Sequence, residues 1–230
     1  MRIMGIAGVR IRAEVDPFVA AGVGIAVALA AGALGARWEH AAAAGAVVGL
    51  VLVGFFAYFF RDPERVAPAD PDAIVAGADG YIMGVVEMDE PQFLKTRAVR
   101  VSIFLTLFDV HVNRAPIRGV IRFLGYFPGR RFFTFQEKSS DFNSHSSILI
   151  EGPEMRCLVN QIVGPVARRI VYWLELGQRV AKGERIGMMK FGSRLDMYFP
   201  AADVEVVVEK GQKTRAGETV VARRRHAAGA

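Results

Sequence analysis

The polar and apolar positions divide the chain into two unequal parts. Residues 17–36 and 41–60 are apolar runs without a charged side chain, separated only by Arg37–His40. Each run has about the ~20 residues that an α-helix needs to cross the apolar core of a bilayer. The pattern predicts a helical hairpin that spans a membrane or dips into one leaflet.

A secretory signal peptide and a pair of buried core helices are the alternatives for these runs. A signal peptide has one short apolar core before its cleavage site, whereas here a second apolar run follows directly. Two successive helices that are apolar all round are unusual inside a soluble domain. We therefore expect residues 1–65 to form a membrane-associated helical hairpin.

Basic residues predict the orientation of this hairpin. The loop between the runs carries one arginine, Arg37, whereas five arginines flank the two runs: Arg2, Arg10, Arg12, Arg61 and Arg65. Basic residues near membrane-spanning segments favour the cytoplasmic side. We expect both ends, and the whole following domain, to lie on the cytoplasmic side of the cell membrane.

After a Pro-, Asp- and Gly-rich linker at 61–80, the pattern changes to short runs typical of strands. These runs are rich in β-branched and aromatic residues and are separated by Gly, Pro and Asp: YIMGVVEM, AVRVSIFLTLF, GVIRFLGYF, SSILIEG, MRCLVNQIVG and VEVVVEKG. Only residues 165–177 are compatible with either a helix or a strand. The predicted fold is mainly β (α+β): a barrel-sandwich-like β domain at 66–230 behind the hairpin.

A weak internal repeat supports this architecture. GQRVAKGERIG at 177–187 recurs as GQKTRAGETVV at 211–221, in register 34 residues later. A turn, a strand and a second Gly-Glu turn repeated in this way predict two quasi-symmetric hairpins. Biotinyl and lipoyl carrier domains and periplasmic adaptor proteins have hairpins of this kind, so the repeat does not decide a function.

Composition narrows the class of protein further. The chain has 230 residues, a net charge of +6 and one cysteine, Cys157. A single cysteine excludes an internal disulfide and a site with several thiolate ligands. The positive charge favours an anionic membrane surface or a phosphorylated substrate over nucleic acid, because the apolar runs already bring the chain to lipid.

Few polar residues in the β-rich part are candidates for chemistry. They fall in five short motifs, ADG, DVHVNRAP, DFNSHSS, QIVGPVARR and KFGSR, and no metal-ligand spacing or phosphate-binding glycine loop accompanies them. His111 and His145 are the two histidines placed near a predicted core. Taken alone, Asp79-Gly80 and Gly192-Ser193 are typical of turns.

Taken together, these motifs resemble the short form of the phosphatidylserine decarboxylase family. The resemblance runs in order through nearly the whole chain and is carried by five stretches: FFRDPER, ADG at 78–80, FDVHVNRAP at 108–116, QIVGPVARRIV at 161–171 and GERIGMMKFGSRLDMYFP at 183–200. Of these, DVHVNRAP followed by KFGSR is the most specific combination.

The resemblance implies a self-cleaving proenzyme. Cleavage between Gly192 and Ser193 would give a large chain 1–192 and a small chain 193–230, which form a heterodimer; a higher oligomer is left open. The Ser193 oxygen would attack the preceding carbonyl, and elimination and hydrolysis would convert the serine into an amino-terminal pyruvoyl group. In the family that the chain resembles, this covalent cofactor forms a Schiff base with the amine of phosphatidylserine and accepts the electrons released as CO2 leaves. The resemblance therefore implies a carboxy-lyase of phospholipid biosynthesis.

The resemblance also implies roles for other residues. Asp79 matches the aspartate of the family's Asp-His-Ser arrangement, and His111 is the expected base or proton donor, with His145 as the second candidate. The long form carries H-x-x-H, and here the second position is Arg114. Arg114 and Arg194 are expected to bind substrate, and so are Arg130 and Arg131, which lie in a stretch of alternating arginines and aromatic residues.

Two basic stretches could contact phospholipid. Residues 122–135 interleave arginines with aromatic residues, which fits either a lipid-handling loop or an ordinary strand hairpin. Arg168-Arg169 fits either a phosphate contact or a solvated pair.

Three other functions remain open at this point. The chain could decarboxylate an archaeal-type ether lipid bearing serine. It could also be a carrier domain modified on Lys190 or an anchored adaptor domain without enzymatic activity.

Overall fold

The computed structural model describes residues 3–6, 9–12, 22, 24–29, 32, 39–130, 132–165, 170–190 and 193–226. It divides into two compact units, Met1–Glu64 and Arg65–Ala230.

The described part of the first unit contains helical residues and a small sheet, and residues 24–29 of the first predicted apolar run are among the helical ones. Helix α1 spans Glu39–Phe59, and the antiparallel sheet has the order β1-β2-β3, with β1 at Ile3–Ile6, β2 at Val9–Arg12 and β3 at Arg61–Pro63. The second predicted apolar run is thus helical, whereas the three strands were not anticipated. Most of the first run, 17–36, lies outside the described residues.

Among the described residues, no helix combines the length and the apolar character that a membrane span needs. The predicted membrane hairpin therefore stays a prediction.

The second unit is built almost entirely from strands, which confirms the mainly β fold class. Among the residues described in this unit there is one four-residue helix, α2 at Ser139–Phe142. The strands are β4 (Ala73–Val75), β5 (Gly80–Glu90), β6 (Thr96–Leu105), β7 (Val112–Arg114), β8 (Gly119–Phe127), β9 (His145–Glu151), β10 (Arg156–Val163), β11 (Ile170–Tyr172), β12 (Arg179–Val180), β13 (Arg185–Met189), β14 (Ser193–Pro200), β15 (Val204–Val206), β16 (Lys213–Thr214) and β17 (Val220–Arg224).

An eight-stranded antiparallel sheet organises this unit, in the order β12-β8-β9-β10-β14-β6-β5-β16. Two three-stranded sheets accompany it, β11-β13-β7 and β15-β17-β4. The ambiguous segment 165–177 contributes strand β11, and residues 166–169 lie outside the described part. Strand β14 occupies a central position between β10 and β6.

The two faces of the large sheet have different coverings. Because side chains alternate along a strand, Leu195, Met197 and Phe199 of β14 point to one face, which we call the core face. They belong to the main apolar cluster. Arg194, Asp196 and Tyr198 point to the opposite face, which we call the back face, where Tyr198 joins a second, smaller cluster.

The predicted repeat is present as two equivalent turn–strand–turn units. Gly177 and Gly211 begin them with φ of 84° and 88°, and Gly183 and Gly217 follow with φ of 79° and 77°. These backbone angles favour glycine, which has no Cβ to clash. The N–H groups of Gly177 and Gly211 donate to equivalent carbonyls on β8 and β5, at 2.8 Å in both cases.

Candidate active site

Ser193 is the first residue of β14 and lies between two neighbouring strands. Its Cα partners are Leu105, the last residue of β6, and Val163, the last residue of β10. The side chain is fully buried, and within the described part of the chain its Oγ has no hydrogen-bond partner. Gly192 lies outside the described residues. The serine expected to start the small chain therefore has a paired strand on each side. It lies where β6 and β10 end and β14 begins, and we call this end of the strands the Ser193 edge.

His111 lies at the Ser193 edge. It follows the turn after β6, and its carbonyl accepts a hydrogen bond of 3.2 Å from the N–H of Met189, four residues before Ser193. The imidazole is completely buried, and its Nδ1 lies 2.9 Å from the carbonyl oxygen of Asp109. The Asp109 carboxylate accepts from both the N–H and the hydroxyl of Thr106, at 2.9 and 2.7 Å, which fixes the turn that carries His111.

His145 begins β9 and belongs to the opposite face of the sheet. It pairs with Ile162, which pairs with Arg194 on β14, so the two residues share the back face about 10 Å apart. The His145 ring stacks on Phe127 with centroids 5.1 Å apart, and its Nδ1 lies 3.0 Å from the carbonyl oxygen of Asn143. The sheet therefore separates the His145 side chain from the Ser193 side chain.

Asp79 lies in the turn before β5 and is almost completely buried. Its Oδ1 accepts from the N–H of Ala216 at 2.7 Å, and its Oδ2 accepts from the Arg65 guanidinium at 2.9 Å. Burial raises the pKa of this carboxyl, although the Ala216 N–H and the Arg65 charge act in the opposite direction. Asp109 lies close enough to add to the rise in pKa. These contacts leave Asp79 as a carboxylate that can take up a proton more readily than an exposed one.

Arg194 takes part in a buried network on the back face. Its Nε donates to Asp196 Oδ1 at 2.7 Å and its Nη2 donates to Ser102 Oγ at 2.8 Å, with both Arg194 and Asp196 fully buried. Ser140 of α2 donates to Asp196 Oδ2 at 2.5 Å. Glu137 lies 3.6 Å from Arg194 and is bonded to Arg100. The network ties segment 132–142 to the strand that begins with Ser193.

The other predicted substrate-binding arginines have separate locations. Arg114 is buried, and its Nη1 donates to the carbonyl of Gly183 at 2.9 Å, in the first repeat unit. Arg130 is exposed in the loop after β8, with its guanidinium 6.0 Å from the Phe132 ring centre. Arg131 and the pair Arg168-Arg169 lie outside the described residues.

The structure also adds three polar residues to the Ser193 side of the sheet. Asn113, Ser146 and Gln161 are buried with at most 1% of their surface exposed. Ser146 pairs with Gln161 across β9 and β10, on the core face, and Gln161 Nε2 donates to Asn113 Oδ1 at 2.7 Å. Asn113 and Gln161 lie in the motifs DVHVNRAP and QIVGPVARR without a predicted role, and no role was predicted for Ser146 of DFNSHSS either. The alternation in SSILIEG, which groups Ser146 with two core isoleucines, was the signal that could have found it.

A broad surface depression of about 1160 Å³ lies at the opposite edge of the sheet. It is bounded by Thr96, Glu151 and Pro200, at the far ends of β6, β9 and β14. Because it is a full strand length from Ser193, we do not assign it to this site.

Comparison with known proteins agrees with the motifs. The model of the family described as phosphatidylserine decarboxylase matches residues 52–222. Similar proteins include one from Carboxydothermus hydrogenoformans, 44% identical over 74% of this chain and 79% of its own length, and one from Symbiobacterium thermophilum, 42% identical over 87% and 91%. A third, from Chlorobium phaeobacteroides, is 46% identical over 74% and 79%.

All three relatives are named phosphatidylserine decarboxylase proenzyme. The matched region includes Asp79, His111 and Ser193, and the identity is well above the level at which a shared fold alone would be the conclusion. The chain therefore belongs to the phosphatidylserine decarboxylase family.

Proposed function

We propose that this chain is a self-processing carboxy-lyase that converts phosphatidylserine into phosphatidylethanolamine. The observation that carries the proposal is Ser193. In a family whose relatives are named proenzymes, the serine preceded by glycine is fully buried, and its hydroxyl is unpartnered within the described part of the chain. A buried hydroxyl without a partner costs stability, so its retention at this point favours a chemical role.

The surroundings of Ser193 suit a covalent pyruvoyl group made from that residue. Such a group is small enough for the buried position of Ser193, where little water is present. The Ser193 hydroxyl makes no hydrogen bond within the described part of the chain, so its conversion breaks none there. The pyruvoyl group supplies an electrophilic carbonyl that binds the substrate amine and accepts the electron pair left by CO2, which no ordinary side chain can do.

The neighbouring strands would hold the new chain end after self-cleavage. Ser193–Pro200 pairs with β6 along its whole length, and its residues Ser193–Tyr198 also pair with β10. The small chain, 193–230, would also keep strands β15, β16 and β17, which pair with β17, β5 and β4. We therefore propose that the large and small chains stay together as a heterodimer.

His111 is the proposed proton-transfer residue. It lies at the Ser193 edge, whereas the sheet separates His145 from the serine side chain. Its Nδ1 faces the Asp109 carbonyl, so that nitrogen carries the proton in the neutral ring and Nε2 is the basic atom. In this role His111 accepts the proton of the Ser193 hydroxyl or returns one to the substrate carbon. Asp79 is the proposed acidic partner, through a rearrangement of its contacts with Arg65 and Ala216.

We propose that the protein acts at the surface of the cell membrane, on the cytoplasmic side that the distribution of arginines around the apolar runs predicts. Contact with lipid has further support from the second unit, where Phe133, Phe135 and Phe142 are each more than half exposed beside the basic residues Arg130 and Lys138. Exposed aromatic rings next to basic side chains are typical of surfaces that rest on anionic lipid. This supports the proposed lipid-handling role of the 122–135 stretch and extends it to residue 142.

A carrier function is disfavoured by Lys190. A carrier lysine must reach its modifying enzyme at an exposed hairpin tip, but only 4% of the Lys190 surface is exposed.

Denaturing electrophoresis with mass spectrometry tests the proposal. The native chain should separate into 1–192 and 193–230, and the smaller peptide should be lighter than the simple hydrolysis product by one ammonia. Ser193→Ala should remain a single chain and release no CO2 from phosphatidylserine. The proposal is wrong if the native chain stays intact during incubation with phosphatidylserine vesicles, or if Ser193→Ala still releases CO2.

A matched pair of variants tests the histidine assignment. His111→Gln should stop self-cleavage, whereas His145→Gln should still cleave. The opposite result would assign the proton transfer to His145 and would require the sheet to open at β14.

A further inference from the structure

The core face beside Ser193 carries four buried polar atoms that have no hydrogen-bond partner among the described residues. They are Asn113 Nδ2, Ser146 Oγ, Gln161 Oε1 and Ser193 Oγ. Ser193 has a chemical role in the proposed function, but the other three do not. The residues that carry them are completely buried from bulk solvent.

The strand register places these three residues in one group. Gln161 is two residues from Val163, the partner of Ser193, so its side chain points to the same face within about 7–8 Å of Ser193 on the diagonal. Ser146 lies directly across from Gln161 on β9. Asn113, from the adjoining β11-β13-β7 sheet, is bonded to Gln161 through its oxygen.

The position of Gln161 depends on a glycine. A Cβ on Gly187 would lie 3.2 Å from Gln161 Nε2 and 2.4 Å from the carbonyl oxygen of Val171. Gly187 pairs with Asn113 across β13 and β7. The absence of a side chain at Gly187 thus lets the two sheets approach until the Gln161 and Asn113 amides meet.

Buried polar atoms of this kind lower the stability of the fold unless a hydrogen-bond partner is present. Nearly all buried polar groups in proteins have a hydrogen-bond partner, and one left without a partner costs more than an apolar side chain of the same shape. Apolar residues fill most of the surrounding core face. Three orphaned atoms next to the reacting residue therefore indicate a polar ligand that arrives during the reaction.

The free atoms define what that ligand must offer. In either orientation the bonded Gln161 and Asn113 amides leave one N–H and one oxygen free. As the structure orients them, the Asn113 N–H and the Ser146 hydroxyl are free to donate and fit a carboxylate, and the Gln161 oxygen is free to accept and fits an ammonium or amine hydrogen. The three side chains carry no charge. Neutral donors orient a carboxylate without the strong ground-state attraction of a cation, which would oppose the loss of its charge as CO2 forms.

We propose that Asn113, Ser146 and Gln161 form a subsite for the serine headgroup of the substrate. Asn113 and Ser146 bind the carboxylate, and Gln161 faces the amine next to residue 193. This inference rests on the proposed function and deepens it by naming the residues that distinguish a serine headgroup from an ethanolamine headgroup.

Two adjacent serines of β9 provide a matched test. Ser146 has an unpartnered hydroxyl on the core face, whereas Ser147, on the back face, donates to Asn160 Oδ1 at 2.8 Å. Both are buried, and both lose only a hydroxyl in Ser146→Ala and Ser147→Ala. The variants should also cleave themselves as the native chain does, which is checked by electrophoresis before any other assay.

Kinetics with a short-chain, water-soluble phosphatidylserine separate the two serines. Ser146→Ala should raise KM or lower kcat/KM by about ten- to a hundredfold, the effect of one lost hydrogen bond to a charged group, with little change in the urea midpoint. Ser147→Ala should lower the urea midpoint and leave KM unchanged. The proposal would be overturned if the two variants had equal kinetic effects. It would also be overturned if Ser146→Ala lowered the urea midpoint without changing the kinetics, as expected if Ser146 binds a buried water.

A binding measurement gives a readout that does not depend on turnover. Phosphoserine and phosphoethanolamine are added separately to the native protein and to Ser146→Ala, and the shift in melting temperature is recorded. The variant should lose most of the shift caused by phosphoserine and keep the shift caused by phosphoethanolamine, which lacks the carboxylate. Loss of both shifts, or of neither, contradicts the assignment.

Two further variants cover the remaining outcomes. Ser146→Cys has nearly the same volume and a weak donor, and it replaces Ser146→Ala if that variant does not fold. Asn113→Asp should raise KM more than Ser146→Ala because it places a negative charge against the carboxylate. If the native protein neither cleaves nor releases CO2, the proposed function fails; if it does both and the variants behave alike, only the subsite fails.

Discussion

Loss of the buried ion pair between Arg194 and Asp196 should cause a large fall in the free energy of unfolding. The pair joins Nε to Oδ1 at 2.7 Å, and both side chains are completely buried. In Arg194→Met, Asp196 would keep only the Ser140 hydroxyl and the more distant Arg100, whose Nε lies 4.0 Å away. Removing one partner of a buried pair costs about 3–5 kcal/mol, because the remaining charge loses its compensation.

The second partner gives the other side of a double-mutant cycle. Asp196→Asn leaves the Arg194 charge with Ser102 and with Glu137 at 3.6 Å, so we expect a loss of about 3 kcal/mol. In Arg194→Met/Asp196→Asn no buried charge of the pair remains. The double variant should therefore lose less than the sum of the two single losses, by about 2 kcal/mol.

An exposed ion pair of similar geometry is the control. Arg122 and Glu151 pair Nε with Oε2 at 2.5 Å, but their side chains are 56% and 40% exposed. Arg122→Met should cost at most about 1 kcal/mol, since water screens this pair and solvates the remaining carboxylate. The distance alone would predict the reverse order, so the comparison isolates the effect of burial.

Urea unfolding in a Ser193→Ala background is the suitable assay, because every variant is then a single uncleaved chain. The chain has two tryptophans, Trp38 and Trp173. Replacing Trp38 with Phe leaves Trp173 to report on the unit Arg65–Ala230. Burial does not set the strength of this ion pair if Arg194→Met costs no more than Arg122→Met, or if the two losses at Arg194 and Asp196 simply add.

Three further predictions follow from other parts of the second unit. In Arg65→Met, Asp79 loses a charge and a hydrogen bond that lower its pKa, so the pKa of Asp79 should rise. If self-cleavage requires the ionised carboxylate, the fall in the cleavage rate at acid pH should begin at a higher pH than in the native chain. An unchanged pH profile would exclude that requirement. Gly80→Ala should lower the free energy of unfolding by about 2–4 kcal/mol, because φ is +148° and the new Cβ would lie 2.1 Å from a backbone oxygen of β6. Gly84→Ala is the control and should cost under about 1 kcal/mol, because a Cβ there has nothing within 4 Å. Equal urea midpoints for the two variants would contradict this. Cys157 is buried and its pKa is raised by burial, so a thiol reagent should label the native protein only on unfolding, and rapid labelling of the folded chain would show that β10 opens.

The sequence was informative about individual strands. The alternation in SRLDMYFP already groups Ser193 with Leu195 and Met197, on the face that the structure fills with the apolar core. The turn glycines of the repeat were also predictable, since two Gly-Gln and two Gly-Glu pairs recur in register and have matching positive φ. Both features are local, and local patterns are set by side-chain alternation and by backbone sterics.

Features that depend on pairing between distant strands were not predictable in the same way. Which histidine lies near Ser193 depends on the order β9-β10-β14-β6, in which no two neighbours except β9 and β10 are consecutive in sequence. The destination of the Arg114 guanidinium, a carbonyl 69 residues later, likewise depends on the fold. The strands β1 and β2 are only four residues long, too short for a clear alternation.

A self-cleaving serine needs a reactive site and an anchored chain end, and the two faces of β14 provide one each. Cleavage before Ser193 would turn the middle of a chain into a free end, and free ends normally fray because few contacts hold them. Here residue 193 begins a strand that has neighbours on both sides, and the next residue, Arg194, is fixed on the back face by Asp196 and Ser102. The core face is thereby left for chemistry at residue 193 and for the subsite of Asn113, Ser146 and Gln161. A buried ion pair is a costly way to stabilise a sheet, but it can hold a chain end in register when the peptide bond before that end is lost. For this reason we regard Arg194 as a positioning residue, acting through the strand it anchors.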